Sequence, residues 1–143
     1  MHDPGGGADA TLDSPAPEPK EVAMSSLVVK ITHAHDDPER ANLGCNVASV
    51  ALASGVEVDV FLAVEGVHLA RPGVTAELEQ VPEAPPLEDL LEALYAGGTV
   101  TVCTPCALRR GLGEDDFRTG TQLAGSALFV ERATAAGATA LVY

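Results

Sequence analysis

Residues 27–64 read LVVKITHAHDDPERANLGCNVASVALASGVEVDVFLAV, and this stretch decides the fold. LVVKIT (27–32) is short and β-branched, which predicts a strand. In DDPE (36–39), Asp37 suits a helix N-cap, Pro38 the first helical position, and Glu39 the positive end of the helix dipole. From Asn42 onward Leu43, Val47 and Val50 recur at helical spacing, with Ala48, Ala51 and Leu52 between them. Gly55 then closes the helix. VEVDVFLAV (56–64) predicts a second strand. The unit is strand, helix, strand.

The pattern continues to the end of the chain. Residues 65–86 are irregular, with Pro72, Gly73, Pro82, Pro85 and Pro86. PLEDLLEALYA (86–96) is an amphipathic helix stopped by Gly97 and Gly98. TVTVC (99–103) is a third strand, and Thr104 and Pro105 open a short helix ending near Gly111. Residues 115–121 form a loop, 122–136 a helix capped by Gly137, and 139–143 a last strand. Strands that alternate with helices and are apolar on both faces predict a parallel sheet covered on both sides. With right-handed crossovers this becomes a three-layer α/β/α sandwich with a mostly parallel sheet.

The domain occupies residues 26–143. Residues 1–25 read as a tail: four prolines, a Gly5-Gly6-Gly7 run, and five acids against Lys20 leave too little apolar surface to offset ordering entropy. Over its 143 residues the chain has 8 Lys+Arg against 21 Asp+Glu, a formal charge of −13. Such a balance argues against non-specific binding to nucleic acid or to an anionic membrane surface, both of which need clustered cations. No apolar run approaches the length of about 18 residues that spans a bilayer. The N-terminus has neither the basic start nor the apolar run of a secretory signal, which predicts a cytoplasmic protein. Aromatics are only 3%, so recognition by stacking is not expected.

Ligands of parallel sheets collect beyond the carboxyl ends of the strands. Two chemistry-bearing segments fall there: His33-Ala34-His35-Asp36 after the first strand, and Cys103-Thr104-Pro105-Cys106 after the third. Cys103 ends a strand and Cys106 lies in the first helical turn, where unpaired N–H groups favour thiolate over thiol. Arg109 and Arg110 add positive charge. Three cysteines in a reducing compartment make no disulfide framework. The C-x-x-C pair is then open to three chemistries: thiol–disulfide exchange, metal binding, or a single reactive cysteine with a helper. No second C-x-x-C and no H-x3-5-H supports a tetrahedral metal site. Against all three stands the bland reading of two small, inert core thiols.

Other residues carry weaker signals. His33 is a candidate for stabilising a thiolate or relaying a proton. His35 reads as solvated and Cys45 as a core residue. His68 and Arg71 fall in the irregular segment, and Glu114, Asp115 and Asp116 read as solvated surface.

Several motifs together resemble the DsrE/DsrF family of sulfur-relay proteins, which includes the TusD-type subunits of tRNA thiolation relays. They are D-D-P-E-R-A (36–41), G-x-E-V-x-V-F (55–61), E-G-V (65–67) and V-C-x-x-C-A-x-R-R-G (102–111). The relay subunits carry C-x-x-A-x-x-R-R-G. Cys103 thus matches their reactive cysteine, and Cys106 stands where they commonly have alanine. The resemblance implies a sulfur carrier, a sulfurtransferase in reaction class. Cys103 would accept sulfane sulfur from a donor persulfide and pass it to an acceptor thiolate. No cofactor or metal is implied. The implied partners are persulfide donor and acceptor proteins and further copies of the chain, as a trimer or hexamer. The candidate set is Cys103, Cys106 and His33 as reacting groups, with Asp36 and Arg109 binding the sulfur-bearing substrate. Cys106 leaves two further readings open. One is a redox protein or sensor using the Cys103/Cys106 couple. The other is a non-catalytic oligomeric binding module.

Overall fold

The computed structural model describes residues 25–143. The tail expected over residues 1–25 lies, apart from Ser25, outside them. Five strands form one sheet in the order β4-β3-β2-β1-β5, with every neighbouring pair parallel. They are β1 (Ser26–Ile31), β2 (Glu57–Leu62), β3 (Thr99–Cys103), β4 (Gln122–Ala124) and β5 (Ala138–Val142). The helices are α1 (Pro38–Ala53), α2 (Leu87–Gly97), α3 (Thr104–Arg109) and α4 (Ser126–Ala133).

The chain walks outward from β1 through β2 and β3 to β4, then returns to place β5 on the far side of β1. Right-handed crossovers therefore set α1 and α2 on one face and α4 on the other. All strand carboxyl ends share one edge.

The start of α1 follows from its sequence. Asp37 caps it by accepting from the Arg40 N–H at 3.0 Å, and Pro38 fills the first turn. The helix ends at Ala53, and Gly55 takes φ +85°, a left-handed value open to glycine at little cost. Ala41, Gly44, Cys45 and Ala48 form its buried face. Small residues let it sit close: a Cβ on Gly44 would come within 2.9 Å of Ile31 Cγ1. Beneath lie Val29 and Ile31 of β1, Val58, Val60 and Leu62 of β2, and Val100 and Val102 of β3, all buried. Strand alternation puts these on one face. Leu90, Leu91 and Leu94 of α2 complete this core.

The opposite face departs from the expected apolar pattern. Alternation places Lys30, Asp59, Phe61, Thr99, Thr101 and Gln122 there, so the sheet is apolar on one side and mixed on the other. The eight-residue α4, none of whose residues is buried, covers this side. Arg132 Nη1 lies 3.2 Å from Asp59 Oδ1 and donates to Thr101 Oγ1 at 3.1 Å. Phe129 packs on Phe61 with ring centroids 5.4 Å apart, and Lys30 Nζ lies 4.5 Å from the Phe129 ring centre. Burial raises the Asp59 carboxyl pKa, and the Arg132 charge opposes that rise.

The helix expected over 122–136 is corrected. Gln122–Ala124 is the edge strand β4, paired Thr101↔Gln122 and Cys103↔Ala124. Gly125 is extended at φ −100°, and the helix occupies only Ser126–Ala133. Gln-Leu-Ala is compatible with a helix, but the free edge of β3 offers backbone donors and acceptors that a helix would leave unpaired. The second strand also stops early, at Leu62. The irregular stretch contains two 3-10 segments, Val64–Ala70 and Val74–Ala76. Arg118 and Glu88 brace it: two guanidinium bonds of 3.0 and 2.7 Å reach the carboxylate, which also accepts from Thr75 Oγ1 at 2.8 Å.

Candidate functional site: the thiol turn at the carboxyl edge

The turn after β2 is built against the end of β1. The Ala63 N–H donates to the Ile31 carbonyl at 3.0 Å, and the Gly66 N–H to the Ala63 carbonyl at 2.9 Å. Gly66 is pressed so closely that a Cβ there would lie 2.0 Å from the Ile31 carbonyl oxygen. Val64 is held at φ +54°. For a β-branched residue that is a left-handed outlier, the kind of strain that surrounding structure must impose.

The thiol turn lies beside this segment. Cys103 closes β3 and Cys106 sits in the first turn of α3; both are buried, at 6% and 7% exposure. The helix is only six residues long, so its first-turn N–H groups carry little of a helix dipole behind them. Side chains and two backbone amides, those of Val64 and Cys106, supply the positive field. Arg109 Nη1 donates to Cys106 Sγ at 3.8 Å. Arg110 Nη1 donates to the Cys106 carbonyl at 3.0 Å, while its Nε bonds Glu65 Oε2 at 2.6 Å. The backbone amide of the strained Val64 adds to this, favouring the Cys106 thiolate.

These neighbours divide the two thiols. Burial pushes the Cys103 thiol up, and the adjacent Cys106 sulfur adds to the rise, outweighing the Cys106 N–H and the Arg109 charge, which lower it. Burial also acts on Cys106, but the Cys103 thiol as donor, the Val64 N–H, and the charges of Arg109 and Arg110 outweigh it. The Cys106 pKa is lowered. The family resemblance implies Cys103 as the reacting thiol; the groups around the pair favour the thiolate at Cys106. Cys45 is fully buried on α1, and burial alone drives its pKa to about 12. It is a core residue, as expected.

The histidines form separate arrangements. His33 Nδ1 lies 2.6 Å from Asp36 Oδ2, and Asp36 Oδ1 accepts from the Ala34 N–H at 2.9 Å. Burial opposes these bonds, yet they hold the Asp36 carboxyl below its usual range. His35 is exposed but not merely solvated, since its Nε2 lies 3.0 Å from Glu77 Oε1. Arg71 Nε donates to His68 Nδ1 at 3.2 Å, which leaves the ring proton on Nε2, facing Glu65. Among the described residues, no hydrogen bond joins a histidine to a thiol. Of the expected set, Cys103, Cys106 and Arg109 come together, while His33 and Asp36 make their own pair at the end of β1. Val64 and Glu65 were missed. Their only trace in the sequence is the E-G-V motif, whose glycine marks the close approach.

A hollow of about 200 Å³ between α1 and residues 75–88 contains neither thiol. Among the described residues, no cluster of three His, Cys, Asp or Glu side chains is placed to hold a metal ion. No helix there is long and apolar enough to cross a membrane.

The sequence profile of the DsrE/DsrF-like family matches residues 25–142. The chain belongs to the DsrE/DsrF-like family. It is similar to the uncharacterized protein MJ0989 of Methanocaldococcus jannaschii, 41% identical over 100 residues, which cover 68% of this chain and 82% of that one. A second relative is the uncharacterized protein MK0008 of Methanopyrus kandleri, 38% identical over 98 residues, covering 68% and 78%. Among solved structures, the ychN protein of E. coli superposes with a TM-score of 0.69 at 19% identity, over 84% of this chain and all of that one. That likeness supports the α/β architecture alone.

Proposed function

We propose that this DsrE/DsrF-like protein carries sulfane sulfur as a cysteine persulfide on its Cys103/Cys106 turn. The observation that carries the reading is two free thiols at the carboxyl end of a parallel strand, under the guanidinium groups of Arg109 and Arg110, in a chain of net charge −13. Sulfur transfer is thiolate attack on a sulfur atom, close in kind to thiol–disulfide exchange. A persulfide ionises more readily than its parent thiol, so the same N–H and guanidinium donors hold its anion. The reaction needs no cofactor. His33, held by Asp36 on the same edge, takes up a proton in this reading.

The donor and acceptor are proteins presenting a cysteine at their surface. Val64 and Leu108, 46% and 67% exposed, flank the turn as an apolar rim for them. We place the protein in the cytoplasm as a homo-oligomer. Exposed Leu43 and Val50 on α1, and Val130 and Val142 near the β5 edge, are the surfaces that assembly would cover.

The test follows labelled sulfur. The full chain is loaded from a labelled protein persulfide, freed of donor, then mixed with an excess of acceptor thiol. The reading expects protein-bound label that a reductant removes and the acceptor collects, any remainder leaving as hydrosulfide. Label that never binds, or binds equally to the Cys103→Ser/Cys106→Ser double variant, overturns it.

A further inference from the structure

We propose that Cys106, rather than Cys103, is the thiol that takes the sulfur, and that Cys103 is the thiol that resolves it. The inference rests on the persulfide reading above and assigns its atoms. Three observations converge on Cys106. Arg109 Nη1 reaches its sulfur at 3.8 Å. Arg110 clamps its carbonyl at 3.0 Å while anchored to Glu65 at 2.6 Å. The third is Val64, held at φ +54° at the start of the segment that packs against α3; its backbone amide favours the Cys106 thiolate. Gly66 explains how such a conformation persists: its packing on the Ile31 carbonyl fixes the segment from behind. Strain of this kind clusters at working sites. Among the described residues, no side-chain cation is hydrogen-bonded to the Cys103 sulfur.

In the first step, the Cys106 thiolate attacks the terminal sulfur of a donor R–S–SH. A Cys106 S–S bond forms, the donor S–S bond breaks, and the electron pair leaves on R–S⁻, which a proton neutralises. There is no net oxidation. In the second step, Cys103 loses its proton and attacks Cys106 Sγ. The Cys103–Cys106 disulfide forms and the terminal sulfur departs as hydrosulfide. The sulfane sulfur is reduced as the two thiols are oxidised, and an external dithiol resets the pair. An acceptor thiolate that reaches the terminal sulfur first receives it instead.

The test uses Cys103→Ser and Cys106→Ser in the full chain, with Cys103→Ala and Cys106→Ala as a second pair should a serine variant fail to fold. Iodoacetamide alkylation is followed against pH, and sulfur uptake from glutathione persulfide by intact mass. Expected is alkylation on the order of tenfold faster at pH 7 for Cys103→Ser, which retains Cys106, than for Cys106→Ser. Cys103→Ser accumulates a persulfide, Cys106→Ser takes up none, and the wild type releases hydrosulfide. The reverse pattern, with uptake only by Cys106→Ser, overturns the assignment and leaves the carrier reading intact. Uptake by neither variant nor the wild type sinks both.

Discussion

Replacing Gly66 by alanine tests how the fold builds the site. The added Cβ would lie 2.0 Å from the Ile31 oxygen and 2.8 Å from its carbonyl carbon. An ordinary C···O contact is about 3.3 Å or more, so the segment must move by roughly 1 Å. The Ile31 carbonyl cannot give way easily, because it ends β1 and accepts from the Ala63 N–H at 3.0 Å. Overpacking costs about 1–3 kcal/mol. Disturbing the Ala63–Ile31 and Gly66–Ala63 hydrogen bonds adds about 1 kcal/mol each. The total is about 3–5 kcal/mol, a fall of roughly 10–20 °C in Tm for a domain of this size. Gly125→Ala is the control: nothing lies within 4 Å of its Cβ, and stability should change by less than about 1 kcal/mol. Calorimetry or thermal circular dichroism reads both. Since the displaced segment carries the Val64 N–H, Gly66→Ala should also slow thiol alkylation at pH 7. A Gly66→Ala protein within about 1 kcal/mol of wild type by chemical denaturation would refute the packing argument.

Val64→Gly should be neutral to about 1 kcal/mol stabilising, because relief of left-handed strain of about 1–2 kcal/mol exceeds the added backbone entropy of 0.5–1 kcal/mol. A loss above about 1 kcal/mol on denaturation would show that the valine side chain matters more than its backbone. Cys45→Ser places a hydroxyl among fully buried apolar groups and should cost about 1–3 kcal/mol by urea denaturation. Cys45 itself should resist alkylation in the native protein, its pKa standing at about 12. Arg118 holds the Glu88 carboxyl below the ordinary glutamate value of 4.5. A depressed folded-state pKa contributes stability fully above the unfolded value and loses it as pH falls through the folded one. Urea midpoints should therefore decline below about pH 4.5, and Glu88→Gln should flatten that decline; an unchanged profile in the variant would discount the pair.

Much of the architecture is legible in local chemistry. Asp37 and Pro38 mark the start of α1, Gly55 its end, and the β-branched run at 27–31 reads as a strand without help from tertiary contacts. What stays hidden is set by distant partners. Residues 122–124 become a strand because β3 has a free edge, and no local signal in Gln-Leu-Ala says so. The mixed face of the sheet is visible as Lys30, Asp59 and Thr101, but its meaning depends on Arg132 and Phe129 arriving from a helix later in the chain, 31 residues after Thr101 in the case of Arg132. At the site, C-x-x-C and Arg109 announce chemistry by type and spacing. Which sulfur is the better thiolate depends on Val64, 42 residues before Cys106 in the chain and opposite it in space. The left-handed backbone there leaves no mark at position 64 itself; Gly66 is its nearest sign.

The central claim is that sulfur travels on this turn. The direct measurement is intact mass under non-reducing conditions after exposure to a persulfide donor, with the modified peptide then mapped. The account predicts sulfur added to the peptide spanning Cys103 and Cys106, removed by dithiothreitol and absent from the peptide containing Cys45, or, where the second thiol has resolved it, a disulfide in that peptide with one hydrosulfide released per chain. Thiols that alkylate normally yet never gain sulfur, or a protein that only loses two hydrogens to a disulfide without hydrosulfide release, would contradict it.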